Sequence, residues 1–269
     1  MPVIKKAKPM QPARTLCLGF LIIITVGALL LWLPFSSKSG STSFFDCLFT
    51  ATSATCVTGL IRVDTGTHWS MFGQTVILIL IQVGGLGFMT IACLFFFALR
   101  RKIGLRQRMV IAQALGSDSY SGLVSLVRNI LRGTAAVEGA GALILFFRFL
   151  PEFGFRKALW YGVFHSISAF CNAGFDLLGL KFGAFSSLIP YQDNPLVLGV
   201  TAALIVIGGL GFFVWEDLVD KRNWRDLSVY SKMVLIITAI LLLFGTFFFF
   251  AEEFENPDTL GNMPLWQKW

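Results

Sequence analysis

Thr50-Ala51-Thr52-Ser53-Ala54-Thr55-Cys56-Val57-Thr58-Gly59-Leu60 lies between two strongly apolar segments, yet it is too short and too rich in hydroxyls to cross a bilayer. Just ahead of it, Ser43-Phe44-Phe45-Asp46 has the serine and the acid of a capping box, which predicts a short helix from about Phe44 to Ala54. The β-branched residues that follow resist the helix, and Gly59 permits torsions closed to other residues, so residues 55–59 are expected to be extended. Non-helical backbone at membrane depth is tolerated only where protein buries it or where it lines a water-filled path. Freed carbonyls along such a path are what a dehydrated cation needs.

A second copy follows. Ser168-Ala169-Phe170-Cys171-Asn172-Ala173-Gly174-Phe175 aligns with Ser53 to Leu60 at a fixed offset of 115, with Ser, Ala, Cys and Gly identical in register. Each copy leads into an apolar helix with the same five residues, Gly84-Gly85-Leu86-Gly87-Phe88 and Gly208-Gly209-Leu210-Gly211-Phe212. Self-similarity on this scale marks a repeat array. Its unit is a helix, a short re-entrant helix, an extended stretch and a second helix.

These three motifs together resemble the ion-translocating subunit of bacterial Ktr potassium uptake systems, within the Trk/Ktr/HKT superfamily, and the resemblance runs from about Pro12 to Trp269. It implies an all-α polytopic membrane protein built from parallel helix–pore-loop–helix repeats, four in the family, around one potassium pathway. It implies main-chain carbonyl ligands for K+ from Thr55, Cys56, Val57, Thr58 and Gly59, and from Cys171, Asn172, Ala173 and Gly174. A glycine in each filter resembles the potassium-selective members, whereas serine at the first position is associated with sodium. The implied partners are membrane lipid, a second copy in a homodimer and a cytosolic ring of nucleotide-binding regulatory subunits.

Composition agrees with a membrane protein: 55% of the residues are hydrophobic and 14% charged. Five stretches approach the ~20 residues a bilayer core requires: 15–33, 71–99, 133–147, 195–215 and 233–251. The basic start runs into the first span, so no signal peptide is expected. The organisation predicted is a cytoplasmic arm at 1–14, a first repeat at 15–103, a connector at 104–132, a second repeat at 133–220, and at 221–269 the first helix of a third. The first repeat has its pore helix and filter at 42–60 and the second at 156–175. The same offset from Gly174 falls beyond Trp269, so the chain reads as stopping inside repeat three. Such a chain is expected to insert in membranes without supporting uptake alone.

The net charge of +7 is read by location rather than as a nucleic-acid signal. Basic residues concentrate at 1–14, 100–132 and 221–232, which places these segments and the N-terminus in the cytoplasm of a plasma-membrane protein. Both re-entrant segments then enter from outside. Residues 104–115 read as an amphipathic helix, either a docking surface or an interfacial connector.

Individual residues carry competing readings. Glu138 is an intramembrane carboxylate that either biases the pathway toward cations or bonds a neighbouring helix, and the structural role is favoured. Gly84, Gly85, Gly87, Gly208, Gly209 and Gly211 serve close helix packing by default, with a hinge as the alternative. His165, alone in an apolar neighbourhood, is read as a packed, hydrogen-bonded residue. Cys17, Cys47, Cys56, Cys93 and Cys171 show no CxxC spacing, which argues against zinc or a disulfide framework. Cys56 and Cys171 are expected to pack behind the backbone. A secondary transporter with broken helices is the runner-up, although its repeats would be inverted rather than parallel. An intramembrane enzyme using Cys171, His165 or Asp176 lacks a recurring nucleophile–base spacing.

Overall fold

The computed structural model describes residues 12–87, 123–256 and 259–261. The basic arm up to residue 11, the continuation of the 71–99 span past Gly87, Cys93, the amphipathic segment at 104–115 and the last residues from 262 lie outside them. Among the described residues the protein is helical and has no β-strand.

Helix α1 (Pro12–Trp32) is apolar beyond its first turn and ends two residues before Pro34, where the next turn opens. Helix α2 (Phe44–Cys56) folds back on it, burying Ala28 and Leu31 of α1 with Cys47, Ala51 and Ala54 of α2. Ser43 does cap α2, but its Oγ accepts from Phe45 N at 3.3 Å. Asp46 pairs with Arg62 at 3.1 Å, a contact the capping-box reading did not contain. A single turn, α3 (Thr65–His68), precedes α4 (Met71–Leu86), which is capped by Ser70 and returns along α2.

The second unit has the same plan in one continuous run. Helix α5 (Leu123–Phe170) is far longer than the expected 133–147 span, because no loop separates its two limbs. It breaks at Gly154 (φ 72, ψ 166), three residues after Pro151. The second limb doubles back on the first. Ser166 Oγ donates to the Glu138 carbonyl at 2.7 Å, and a Cβ on Gly162 would come within 2.7 Å of the Ala142 carbonyl. Those pairings run in opposite directions along the two limbs, so α5 is an antiparallel hairpin without a loop.

Beyond it come α6 (Gly179–Phe182), then α7 (Pro195–Gly209), which packs on α5. The expected span at 195–215 is not one straight helix. It turns by 94° between α7 and α8 (Phe212–Lys221), with Gly211 at φ 87. Trp215 Nε1 donates to the Ile207 carbonyl at 2.9 Å, satisfying a carbonyl near the bend. Helix α9 (Val229–Glu253) starts from Ser228, whose N–H and Oγ both donate to Asp217 Oδ2 at 2.8 Å. Lys221 Nζ pairs with the other oxygen, Asp217 Oδ1, at 2.7 Å.

Among the described residues, two helical stretches, Val127–Phe170 and Val229–Glu253, are long and apolar enough to cross a bilayer. The bent pair α7–α8 would pass as a third. Helix α9 buries only Ser231, and its Leu241, Leu243, Phe244 and Phe247 are all exposed. An apolar helix with no packed face is stable in lipid and not in water.

Candidate functional site

The two candidate segments sit where α2 and the second limb of α5 end. Val57 takes a left-handed conformation (φ 56, ψ 45), and Asn172, 115 residues on, does the same at φ 58. Val57 N donates to the Ala54 carbonyl and Thr58 N to the Ser53 carbonyl. Asn172 N donates to Ala169 O and Ala173 N to Ser168 O in the same register. This pair of bonds is a Schellman closure, built twice. Holding a β-branched valine at positive φ costs about 1–2 kcal/mol, so the closure is imposed by its surroundings rather than preferred by the residue.

Gly59 (φ 73) and Gly174 (φ 72) follow as the next positive-φ residues. The two come together. A Cβ on Gly59 would lie 2.7 Å from the Ala173 carbonyl, and one on Gly174 would lie 3.6 Å from the Gly59 Cα. The two extended segments therefore run side by side at the ends of helices whose carbonyl termini favour a cation. Cys56, Val57, Thr58 and Gly59 share this place with Cys171, Asn172, Ala173 and Gly174.

Thr55 stands apart from its neighbours. The Gly84 Cα lies against its carbonyl so closely that a Cβ would collide, and Gly208 is placed in the same way on the carbonyl of Phe170. Gly85 faces Cys171, where a Cβ would come within 2.5 Å of Sγ. Gly84 and Gly208 thus do the close packing. Gly87 (φ 76) and Gly211 (φ 87) instead occupy the points where α4 ends and α7 breaks. Gly209 has only the Asn172 amide near it, at 3.8 Å from a Cβ position. Close packing, the default expectation, fits Gly84, Gly85 and Gly208, and Gly211 stands at a bend, the place of the alternative hinge.

The cysteines also divide. Cys171 is buried behind its segment, but Cys56 is exposed among the described residues, against the expectation that both pack inward. The reason lies in packing: Cys171 lies against the side-chain-free Gly85, and among the described residues no glycine takes that place beside Cys56.

Polar side chains fasten each segment. Ser53 Oγ and Thr58 Oγ1 are 2.9 Å apart, while Ser168 Oγ donates to the Phe175 carbonyl at 2.7 Å. Asn172 Nδ2 donates to the Ile205 carbonyl of α7 at 3.3 Å. His165 is buried against Phe149 and Phe164. Its Nδ1 is 2.8 Å from the Tyr161 carbonyl, and its Nε2 accepts from Leu177 N at 3.4 Å. That arrangement requires a neutral ring with the proton on Nδ1. A cavity of about 200 Å³ lies beside the second segment, lined by His165, Ser168, Asn172, Gly174, Asp176 and Thr201.

Glu138 accepts from Gln82 Nε2 with both oxygens, at 3.0 and 3.2 Å, and Trp160 Nε1 donates to Gln74 Oε1 at 2.9 Å. These bonds fix α4 of the first unit to both limbs of α5. Neither glutamine was singled out from the sequence, although Gln74 and Gln82 are the two amide side chains in the otherwise apolar 71–87 stretch. No group of His, Cys, Asp and Glu suited to a metal ion occurs among the described residues.

Comparison with known proteins gives the family. The TrkH family, described as "Cation transport protein", matches residues 19–250. The chain is 44% identical over 256 residues to the potassium/sodium uptake protein NtpJ of Enterococcus hirae, covering 94% of this chain and 55% of that protein. It is 41% identical to the Ktr system potassium uptake protein B of Bacillus subtilis, over 96% of this chain and 56% of the relative. The Vibrio alginolyticus protein of the same name is 40% identical, over 98% and 57%. The chain spans about half the length of these relatives.

Proposed function

We propose that this chain, which belongs to the TrkH family of cation transport proteins, supplies two carbonyl-lined segments to a potassium pathway through the plasma membrane. The observation that carries the reading is the doubled backbone: left-handed Val57 and Asn172, positive-φ Gly59 and Gly174, and the two glycines side by side. Carbonyls of Cys56, Val57, Thr58 and Gly59 and of Cys171, Asn172, Ala173 and Gly174 are the proposed ligands. Thr55 is left out, since its carbonyl packs on Gly84. Such oxygens substitute for water around the ion and need no titratable side chain.

Glycine at both positions supports potassium, as do the names of the relatives from B. subtilis and V. alginolyticus, potassium uptake proteins. The name of the E. hirae relative, a potassium/sodium uptake protein, favours a second reading in which sodium also passes. The remaining features are part of the same proposal: an N-terminus in the cytoplasm, a homodimer, and a cytosolic nucleotide-binding regulatory ring.

The test is Gly59→Ser in the gene that encodes this chain, together with whatever follows in frame, expressed in a host lacking its own potassium uptake. Uptake with competing sodium is measured at matched membrane levels. Loss of potassium preference is expected. Unchanged preference would remove Gly59 from the pathway, and equal uptake of both ions by the wild type would establish the second reading.

A further inference from the structure

Five residues beyond Gly59, Asp64 is buried, with 4% of its surface exposed. It caps α3 through Oδ1, which accepts from Thr67 N at 2.6 Å and Thr67 Oγ1 at 2.7 Å. A cap needs one oxygen. The other crosses to the second unit: Oδ2 accepts from the backbone N–H of Phe185 at 2.9 Å, 121 residues away in sequence.

The receiving surface is shaped for it. A Cβ on Gly179 would come within 2.5 Å of both carboxylate oxygens, so this position admits no side chain while Asp64 is in place. At the same contact, a Cβ on Gly66 would reach 2.6 Å from the Leu177 carbonyl. Phe185 and Ser187 hold left-handed backbone (φ 64 and 50), and the carboxylate bonds the first of them directly. Strained backbone of this kind persists only where its neighbours over-determine it. The pairing is also unsymmetrical: at the 115-residue offset the counterpart of Asp64 is Gly179 itself. One unit carries the carboxylate and the other the socket.

We infer that Asp64 is a positioning residue that locks the outer loops of the two units together and so fixes the spacing of Gly59 from Ala173 and Gly174. The inference rests on the proposed filter and adds what determines its dimensions. Chain connectivity leaves little slack, because Asp64 and Leu177 follow Gly59 and Gly174 by only five and three residues. Selectivity depends on how carbonyls are arranged about the ion, whether through cavity size or through the number of dipoles that reach it. A lock outside the ion's reach can therefore set ion preference without touching the ion.

Hydrogen exchange on the chain in lipid nanodiscs, with wild type, Asp64→Asn and Gly179→Ala, tests the lock directly. Loss of a charge-assisted bond predicts amide exchange faster by about tenfold or more at 173–188 as well as at 64–68. Acceleration confined to 64–68 would make Asp64 a helix cap and nothing further. Gly179→Ala should loosen the same peptides, and Asp64→Ala with Gly179→Ala should exchange no faster than Asp64→Ala alone. Additive effects would overturn the coupling. Ion preference is then read in cells at matched membrane levels, with Gly59→Ser as the benchmark. A shift toward sodium in both Gly59→Ser and Asp64→Asn is expected. A shift in Gly59→Ser alone sinks the positioning role and spares the filter, whereas no shift in Gly59→Ser sinks the filter and this inference with it.

Discussion

The two candidate segments share their torsions and closing bonds and differ in how they and their surroundings are held. In the first unit, most of the bonds tying the turn between α1 and α2 to the stretch before α4 end on main-chain carbonyls: Ser70 N donates to Ser36 O and Lys38 N to His68 O, each at 2.9 Å, and Ser70 Oγ donates to Phe35 O at 2.6 Å. In the second, the elbow of α5 is tied by side chains converging on Glu152, from Arg148 at 2.6 Å, Tyr191 at 2.8 Å and Lys181 at 2.9 Å. Behind the extended segments the contrast repeats. The first segment closes on itself through Ser53 and Thr58, while the second closes through Ser168 and the Phe175 carbonyl and is also anchored to a different helix through Asn172. The lesson is that a repeated backbone is maintained by whatever donors each copy has within reach, so the side chains diverge where the torsions do not.

The sharpest way to break that comparison is to label its cysteines. In chains retaining only Cys56 or only Cys171, a small maleimide should modify Cys56 about a hundredfold faster or more, because Cys171 is buried against Gly85. Equal rates would mean that the two segments have the same surroundings after all.

A next test makes the first unit resemble the second. Gln82 corresponds to Val206 at the 124-residue spacing of the glycine motifs, and Gln82→Leu would leave the Glu138 carboxylate buried without its donor. A loss of about 3 kcal/mol is expected, with Glu138→Gln much milder because both partners are then neutral amides. Thermal unfolding in detergent distinguishes the two. Comparable losses would show that the carboxylate is not held by Gln82.

Gly84→Ala and Gly208→Ala probe what the units share, since each glycine lies on the equivalent carbonyl, of Thr55 and of Phe170. Both should cost about 1–3 kcal/mol through overpacking. Gly59→Ala should be more damaging than Gly174→Ala, because only the former puts a Cβ within 2.7 Å of a carbonyl. The same unfolding midpoints order all four variants, and the reverse order at 59 and 174 would contradict the side-by-side placement.

The smallest effect is expected at the end of α3, where burial lowers the His68 pKa and Nε2 lies 2.9 Å from Thr42 Oγ1. A lowered folded-state pKa means that the unfolded chain takes the proton first. Stability is then whole above the ordinary histidine range near 6.5 and declines as the pH falls from there toward the folded-state value. His68→Gln should flatten that slope in pH-dependent unfolding, and an unchanged slope would assign it elsewhere.

Much of the site was legible from residue order. The 115-residue offset placed Gly59 with Gly174 and Ser53 with Ser168, and the same offset recurs in torsions and closing bonds. The start of a short helix at Phe44 followed from its cap, but the helix runs through Thr55 to Cys56 and Val57 is left-handed, where residues 55–59 had read as extended. These features are local: a capping residue, a helix-breaking run or a glycine acts within a few positions of itself, so sequence exposes it. Pairings across the chain were not legible. The Gln82–Glu138 bond, the Asp64–Phe185 bond and the approach of Gly59 to Ala173 depend on how separate helices dock. Nor could the motif Gly-Gly-Leu-Gly-Phe say which glycine packs and which bends. That is decided by whether a carbonyl terminus or open space lies opposite, as at Gly208 and Gly211. Residue type sets what a position tolerates, and only the neighbours brought by tertiary packing decide which of those tolerances is used.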